Sequence, residues 1–264
     1  MTQATLEKPD LATVEGPFYL YAVARNHPDL PDVLEQKPIE NSGQPFLLRV
    51  GDLIVVLSAN SSDRYSIARK NLLAHKTIVE TIMAITPVLP VRFNTIGPSL
   101  EVIERKLLTQ KADELKAKLD AVDGRVELSV RATWTDPAEV IERVLSEHPE
   151  ISSLRDKIAT SADHHARIRL GQMMENAILK RRNYVGAALE KRLNGLVEGI
   201  SNGTLPEGVV ANLSVLMPQA ELEKVENALH EFDDQHDLLT IRLTGPLPPF
   251  TFSEMTVRWE DDEE

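Results

Sequence analysis

Residues 72–95 read LLAHKTIVETIMAITPVLPVRFNT, and this stretch decides the fold of the first half of the chain. Its apolar side chains recur at the spacing of a helix face, at Leu72, Val79 and Ile82, with Ile78 and Met83 beside them. Pro87 and Pro90 then frame a short apolar run. The pattern predicts a helix from about residue 66 to residue 85 that leads into a proline-framed strand.

Apolar periodicity and turn residues predict further strands and helices on both sides of this stretch. The predicted strands cover residues 18–23, 46–50, 53–58, 125–134, 209–217, 238–243 and 252–259. The predicted helices cover residues 99–119, 162–200 and 218–232, and another opens at Pro137 behind Asp136 and is interrupted or restarted at Pro149. The strand at 125–134 is the clearest, because polar and apolar side chains alternate along it.

The order of these elements predicts an α+β fold with two domains. Residues 17–122 are predicted to form an N-terminal mixed α+β domain, after a flexible N-terminus at 1–16. Residues 123–259 are predicted to form a C-terminal ferredoxin-like α+β domain with a long helical segment, because strand, helices, strand, helix and strand follow one another there. The acidic residues 260–264 are predicted to be a solvated tail.

The composition excludes several classes of partner and site. Acidic residues outnumber basic ones by 41 to 29, and the formal net charge of −12 disfavours binding to nucleic acid or to an anionic membrane. The chain has no cysteine, which excludes disulfides, thiolate zinc sites and a cysteine nucleophile. No apolar run reaches the roughly 20 residues of a membrane-spanning helix. The first residues show no signal sequence, so we expect a cytoplasmic protein.

His75 lies on or beside the apolar stripe of the first predicted helix and has two interpretations. In the first, it is a packed histidine that donates a hydrogen bond to a backbone carbonyl or to a neighbouring strand. In the second, it is a general base with Glu80 and Arg92 as companions. The first interpretation is favoured, because a general base needs a cleft and a reaction partner that this segment does not supply.

Other chemical motifs are weak, and the sequence predicts no catalytic, cofactor-binding or metal-binding residues. Asp163-His164-His165 resembles a metal cluster, but adjacent histidines on a helix diverge by about 100° and cannot easily hold one ion. Lys180-Arg181-Arg182 is predicted to be a solvated face that pairs with nearby glutamates, and it is also the best basic surface for an acidic partner. The chain contains no nucleophile elbow, phosphate-binding loop or dinucleotide fingerprint.

Two blocks of sequence carry a resemblance to a known family. The first is Leu73-Ala74-His75 followed by Pro87-Val88-Leu89-Pro90-Val91-Arg92-Phe93 and Thr95, and the second is Gly245-Pro246 with Pro248-Pro249-Phe250 and Phe252. Tyr19-Leu20-Tyr21 adds weaker support. With these blocks the chain resembles the gas vesicle protein F/L family from Tyr19 to Phe252. Its length and the lack of an extended tail favour the F-type.

Three residues depart from the pattern of that family. Asn94 stands where the family usually carries glycine, which a left-handed backbone conformation would tolerate. Leu247 replaces a usual tryptophan, and Phe250 replaces a usual tyrosine. The loss of the tryptophan ring weakens the case for aromatic recognition of a partner at this corner.

The resemblance implies a non-enzymatic, cytoplasmic accessory protein, associated with gas vesicles, that assists gas vesicle assembly or nucleation. The implied partners are the hydrophobic shell protein and other gas vesicle accessory proteins. A chaperone-like protein could cover apolar surface of the shell protein through a groove or by adding a strand at a sheet edge. The helix at 162–200 and the strand from Val209 are candidate surfaces, unless both are simply core.

Two alternatives stay open from the sequence. One is a small-molecule or nucleotide-binding enzyme on a ferredoxin-like scaffold that uses His75 and Arg92, since that fold hosts many functions. A deep cleft that contains both side chains would favour the enzyme, and a filled core around His75 would argue against it. The other alternative is an oligomeric regulatory module.

Overall fold

Strands and helices are interspersed along the chain in the computed structural model, which describes residues 16–62, 64–160 and 163–259. The strands are β1 (Phe18–Arg25), β2 (Phe46–Val50), β3 (Leu53–Ala59), β4 (Val88–Pro90), β5 (Ile96–Gly97), β6 (Arg125–Trp134), β7 (Gly199–Asn202), β8 (Val209–Pro218) and β9 (Leu239–Leu247). The helices are α1 (Arg69–Met83), α2 (Leu100–Val102), α3 (Ala112–Val122), α4 (Pro137–Glu147), α5 (Pro149–Ala159), α6 (His164–Leu193), α7 (Leu222–Asp234) and α8 (Phe250–Ser253). A π-helical segment, Ile103–Thr109, follows α2, and a 3-10 turn, Gln219–Glu221, precedes α7. The predicted α+β class is confirmed.

Backbone contacts group the described residues into two units. Unit 1 contains the residues up to Val126 together with those from Leu247 onward, and unit 2 is Glu127–Pro246. The sequence had assigned residues 247–259 to the C-terminal domain, but these residues pack in unit 1. The predicted flexible N-terminus and acidic tail lie, apart from Gly16, outside the described residues.

The sheet of unit 1 has the order β2-β3-β1-β4, and β5 also pairs with β1. Each pairing is antiparallel. The register of β1 shifts between Leu20 and Ala22, which brings Tyr21 and Ala22 to the same face. β1 is buried on both faces, and this explains why its sequence is a continuous apolar run rather than an alternating one.

Helices cover both faces of this sheet. On one face, α1 places Ile78 and Ile82 against the side chains of Tyr19 and Tyr21. On the other face, the π-helical segment and α3 contribute Leu107, Leu115 and Leu119 to a core with strand residues. Both packings remove large apolar surface from water, which is the main favourable term in folding.

The buried stripe of α1 differs from the predicted one. Its buried residues are Asn71, His75, Ile78, Val79 and Ile82, and Leu72 is 41% exposed. Asn71 can take the buried position because its amide is satisfied: Nδ2 donates to the Ser66 carbonyl at 3.1 Å, and Oδ1 accepts from the Glu40 N–H at 3.2 Å. An apolar count alone could not identify this rotation of the helix.

Unit 2 follows the succession β-α-β-β-α-β, with α4, α5 and α6 between its first two strands. Its sheet has the order β7-β8-β6-β9, so the predicted ferredoxin-like succession of elements is present. β6 has the predicted bounds, and α4 starts at Pro137 with its Ala138 N–H bonded to the Asp136 side chain at 2.8 Å. A new helix starts at Pro149, as one of the two sequence interpretations expected.

Three predicted elements were wrong. The long helix ends at Leu193 rather than near residue 200, since the chain turns at Gly195, where φ is 84°, and residues 199–202 pair with β8 as the strand β7. The helix at 99–119 is divided into α2, the π-helical segment and α3. Residues 252–259 form no strand, because α8 ends there and only Met255 bridges to Val91. No helix in the described parts of the chain is long and apolar enough to cross a membrane.

Candidate functional site

His75 is enclosed by aromatic rings in the core of unit 1. The side chain is 4% exposed. Four rings surround its imidazole, with centroid distances of 5.7 Å to Tyr19, 5.6 Å to Tyr21, 5.8 Å to Phe93 and 6.4 Å to Phe250. The histidine therefore fills a hydrophobic core, and a substrate has no access to the ring.

Hydrogen bonds connect His75 to the turn that follows β4. The Asn94 N–H donates to the Tyr19 hydroxyl at 3.2 Å, and that hydroxyl lies 2.9 Å from His75 Nδ1. Burial lowers the pKa of His75 to about 4, against a smaller effect of its hydrogen bond to the Val91 backbone, so the ring is neutral at neutral pH. A neutral ring that donates to the Val91 carbonyl must accept from Tyr19 at Nδ1. The packed-histidine interpretation is confirmed.

The proposed companions of His75 do not meet it in a cleft. Glu80 pairs with Lys76 at 2.9 Å on the helix surface. Arg92 is exposed, and its charge opposes the rise that burial causes in the pKa of Glu254. Since His75 is enclosed while Arg92 faces solvent, the structure does not bring them together as a general base and its partner. This arrangement argues against the enzyme hypothesis.

The histidine pair at the start of α6 is not placed as a metal site. Asp163 caps the helix, because its side chain accepts from the Ala166 N–H at 3.1 Å. His164 and His165 are exposed, and their ring centroids are 6.3 Å apart. Among the residues that the structure describes, no group of three potential ligands could hold a metal ion.

The basic cluster in α6 pairs with a glutamate, as the sequence predicted, but Arg181 and Arg182 are half-buried rather than solvated. Arg181 Nη1 donates to both carboxylate oxygens of Glu147, at 2.8 and 2.7 Å. Lys180 is exposed. The pair ties α6 to α4, and it leaves Lys180 as an exposed cation on this face.

The strand from Val209 cannot accept a further strand from a partner. β8 lies between β7 and β6 in the sheet, so both of its edges are already paired. Val209, Leu213, Val215 and Met217 are also buried. The guess that this strand meets a partner was wrong, and β8 is core.

The first sequence block that carries the family resemblance meets the end of the second block and the residues that follow it in unit 1. The Met255 N–H donates to the Pro90 carbonyl at 2.8 Å, and the Arg92 N–H donates to the Met255 carbonyl at 2.9 Å. Phe250 lies beside His75. No local pattern could predict this pairing, because 165 positions separate Pro90 from Met255. Residues 248–255 thus complete the core of unit 1.

Before α1 and in its first turns, three large apolar side chains face solvent. Ile67 is 72% exposed, Leu72 is 41% exposed and Leu73 is 48% exposed. We call these three side chains the 67–73 surface. The apolar periodicity did not predict this surface, because it placed Leu72 on the buried stripe.

Two grooves lie in unit 2, at the end of α6. One, of about 500 Å³, is lined by residues that include Glu190, Lys191 and Glu198. The other, of about 480 Å³, includes Arg192 and Glu231, which form an ion pair. Both grooves mix acidic and basic side chains, and neither contains His75 or Arg92.

Known proteins resemble the chain over most of its length. The family model for the gas vesicle synthesis protein GvpL/GvpF matches residues 17–254. Gas vesicle protein F of Streptomyces sp. (strain CB03234) is 26% identical over 239 residues, which cover 89% of this chain and 99% of that protein. Gas vesicle protein F of Dolichospermum flosaquae is 25% identical over 245 residues, which cover 90% of this chain and 98% of that protein.

A solved structure shares the fold. The crystal structure of the gas vesicle protein GvpF from Anabaena sp. PCC7120 matches with a TM-score of 0.77 at 21% sequence identity, and the match covers 91% of this chain and 99% of that chain. The resemblance expected from the two sequence blocks is confirmed, and these relatives are of the F-type.

Proposed function

Because the chain belongs to the gas vesicle synthesis protein GvpL/GvpF family, we propose that it assists gas vesicle assembly or nucleation by binding the hydrophobic shell protein and limiting its aggregation. It acts in the cytoplasm, in association with gas vesicles and with other accessory proteins. The family match over residues 17–254 is the observation that carries this proposal.

The geometry supports a role in binding rather than in catalysis. The side chain with the most versatile chemistry, His75, is enclosed in the core of unit 1. In contrast, apolar side chains that a core would normally bury are exposed on the 67–73 surface. A protein with this distribution acts through surface contacts, and a large apolar contact is the kind that a hydrophobic subunit would need.

In the proposed mechanism, the protein binds the apolar surface of a shell subunit transiently. A shell subunit exposes apolar surface until it joins the vesicle wall, and two such subunits would associate without order. A bound accessory protein removes that surface from water and carries a net charge of −12, so that the complexes repel one another. Release at the growing wall then places one subunit at a time.

The proposal is tested by capture and by aggregation assays with purified protein. The tagged shell protein is co-expressed with this chain, and the captured chain is measured. In parallel, shell protein is diluted from denaturant with and without this chain, and light scattering is followed. We expect capture and a delay in scattering, which an unrelated protein of similar net charge does not produce. Absence of both, together with normal vesicles in a deletion strain, would contradict the proposal.

A further inference from the structure

Exposed apolar side chains are concentrated near the start of α1. Among the described residues, eight large hydrophobic side chains are exposed, and three of them form the 67–73 surface. Isolated exposed hydrophobic residues are ordinary, whereas a contiguous group marks a contact. Leu72 and Leu73 are neighbours on the helix, and neither belongs to the core cluster beneath α1.

Basic side chains border the two leucines on both sides. Arg69 precedes Leu72 by three positions and Leu73 by four, so it is a neighbour of both on the helix surface. Lys76 follows Leu72 by four positions and Leu73 by three, and is a neighbour in the same way. The leucine pair therefore lies between two cations that are about 10 Å apart along the helix axis.

The charge of this segment is opposite to that of the chain. Residues 64–76 contain four basic side chains and no carboxylate, although acidic residues outnumber basic ones by 41 to 29 in the whole sequence. Lys76 pairs with Glu80 at 2.9 Å, and such exposed pairs are weak enough to exchange partners. Arg69 is exposed and takes part in none of the ion pairs found within the described part of the chain.

The segment before α1 is held in place by side chains from other parts of unit 1. Asn94 Oδ1 accepts from the Tyr65 N–H at 2.8 Å, and Asn94 Nδ2 donates to the Tyr65 carbonyl at 2.9 Å. Asn71 Nδ2 donates to the Ser66 carbonyl at 3.1 Å. Ile67 follows these anchored residues directly, so its exposed side chain is presented by a fixed backbone.

We propose that the 67–73 surface docks an amphipathic helix whose apolar side chains lie between two carboxylates seven positions apart. The leucines of the 67–73 surface cover the apolar side chains of the docked helix. Arg69 and Lys76 pair with the two carboxylates of that helix. The inference rests on the proposed function for its partner, and it assigns the contact to a helical segment of the shell protein. A second copy of this chain is a poorer occupant, because two chains of net charge −12 repel each other.

The apolar half of the contact is tested with full-length protein and tagged shell protein in the capture assay. The double variant Leu72→Ser/Leu73→Ser should reduce capture at least tenfold. The matched control is Ile141→Ser/Leu205→Ser, at two positions outside the candidate surface at 162–200, where both exposed fractions are 41% and close to the 48% and 41% of the leucine pair. This control should capture the shell protein as the wild type does.

The charged half is tested by reversal. Arg69→Glu should weaken capture and reduce its dependence on salt, since exposed charge pairs are screened by ions. A carboxylate is favourable in the first turn of a helix, so the variant should be no less stable to heat than the wild type. Lys157→Glu, an equal charge change at an exposed position in α5, should leave capture unchanged.

Two synthetic helical peptides test the partner chemistry separately from the shell protein. Both peptides present adjacent leucines between two charged residues that are seven positions apart. These charged residues are glutamates in one peptide and lysines in the other. The glutamate peptide should bind at least tenfold more tightly, and Leu72→Ser/Leu73→Ser should abolish the difference.

The outcomes separate this inference from the proposed function. Equal capture by the wild type and the leucine variant overturns the surface and leaves the function intact. If the wild type captures no shell protein, the function fails, and binding of the glutamate peptide that depends on the leucines still supports the surface. Failure of the peptide as well overturns both. A wild-type dimer that the leucine variant converts to a monomer, with capture unchanged, assigns the surface to a second copy and also overturns the inference.

Discussion

The hydrogen bonds around His75 run in one direction through the core of unit 1. Asn94 donates through its backbone to Tyr19, the Tyr19 hydroxyl donates to His75, and the ring donates to Val91. A second proton on the ring, at Nδ1, would remove the acceptor that the Tyr19 hydroxyl proton uses. The same burial raises the pKa of the Tyr19 hydroxyl, which therefore stays protonated as a donor.

This arrangement makes stability depend on pH. The pKa of His75 is about 4 in the folded protein and about 6.5 in an unfolded chain. As the pH falls from about 6.5 to 4, the unfolded chain takes up a proton that the folded ring does not, and on the order of 3 kcal/mol of stability is lost. His75→Gln cannot titrate, so the wild type should be more stable at pH 7 and should lose this advantage at pH 4.

Urea unfolding of the wild type and of His75→Gln at each pH measures the effect. The other titrating groups are the same in both proteins. Their contributions therefore cancel in the difference between the two free energies of unfolding. Ser153→Gln, which changes no titrating group at an exposed position, is the control and should keep a constant difference from the wild type. A difference for His75→Gln that does not change between pH 7 and pH 4 would contradict the prediction.

Asn94 shows what the sequence could and could not predict for a single residue. The expectation that it takes a left-handed conformation is confirmed by a φ of 69°. The two hydrogen bonds of its amide to the Tyr65 backbone could not be predicted, because the chain between them first forms α1 and β4. Glycine at this position would allow the same turn but could not make those bonds, so Asn94 both permits the turn and fixes the segment before α1.

At the scale of elements, α1 begins without the usual stabilising groups. Ala68 is its N-cap residue and provides no side-chain hydrogen bond, and the first turn contains no acidic residue. Arg69 and Lys70 occupy that turn, where the helix dipole disfavours positive charge. The helix is stabilised by packing of its buried stripe rather than by its ends.

A capping residue should therefore stabilise the protein. The backbone of Ala68 is extended, as the N-cap position requires, so Ala68→Ser supplies an acceptor for a free N–H without strain. We expect the free energy of unfolding to rise by about 0.5–2 kcal/mol, measured by urea unfolding. Ala84→Ser, at the other end of α1, is the control. The end of a helix has free carbonyls rather than free N–H groups, so an added acceptor there should not stabilise the protein. Equal effects of both variants would show that the cap is not the cause.

The sequence predicted elements well where local pattern decides them and poorly where distant pairing does. β6 was predicted because its alternation is local, and the start of α4 at Pro137 was predicted because its cap, Asp136, is the preceding residue. β7 was missed because four residues next to a helix become a strand only by pairing with β8. Within the candidate site, the burial of His75 followed from helical spacing, whereas the 67–73 surface depended on a rotation of α1 that Asn71 decides.

At the scale of the whole molecule, the last described residues finish the first unit. Met255 is 7% exposed and packs in the same core as the π-helical segment and α3. The two-domain organisation stays a prediction, because contacts group residues but independent folding must be measured. Both units contain an antiparallel strand pair and covering helices, which is the part of the fold that the order of elements predicted.

Shortening the Met255 side chain should therefore destabilise unit 1, whose first strand begins near residue 17. Met255→Ala is expected to cost about 2–5 kcal/mol, the usual effect of removing a buried side chain of this size. Amide hydrogen exchange should show the loss of protection in β1 and β4. Thr256→Ala, at the exposed neighbouring position, should change stability by less than about 0.5 kcal/mol. Equal effects of the two variants would contradict the assignment of Met255 to this core.

The insertion of unit 2 between two parts of unit 1 separates the order of synthesis from the order of assembly. A ribosome produces β1 to β4 early, but the segment with Phe250 and Met255 emerges only after all of Glu127–Pro246. During that interval the nascent aromatic core around His75 lacks one of its covering rings. The core of unit 1 is thus complete only after almost the whole chain has been synthesised.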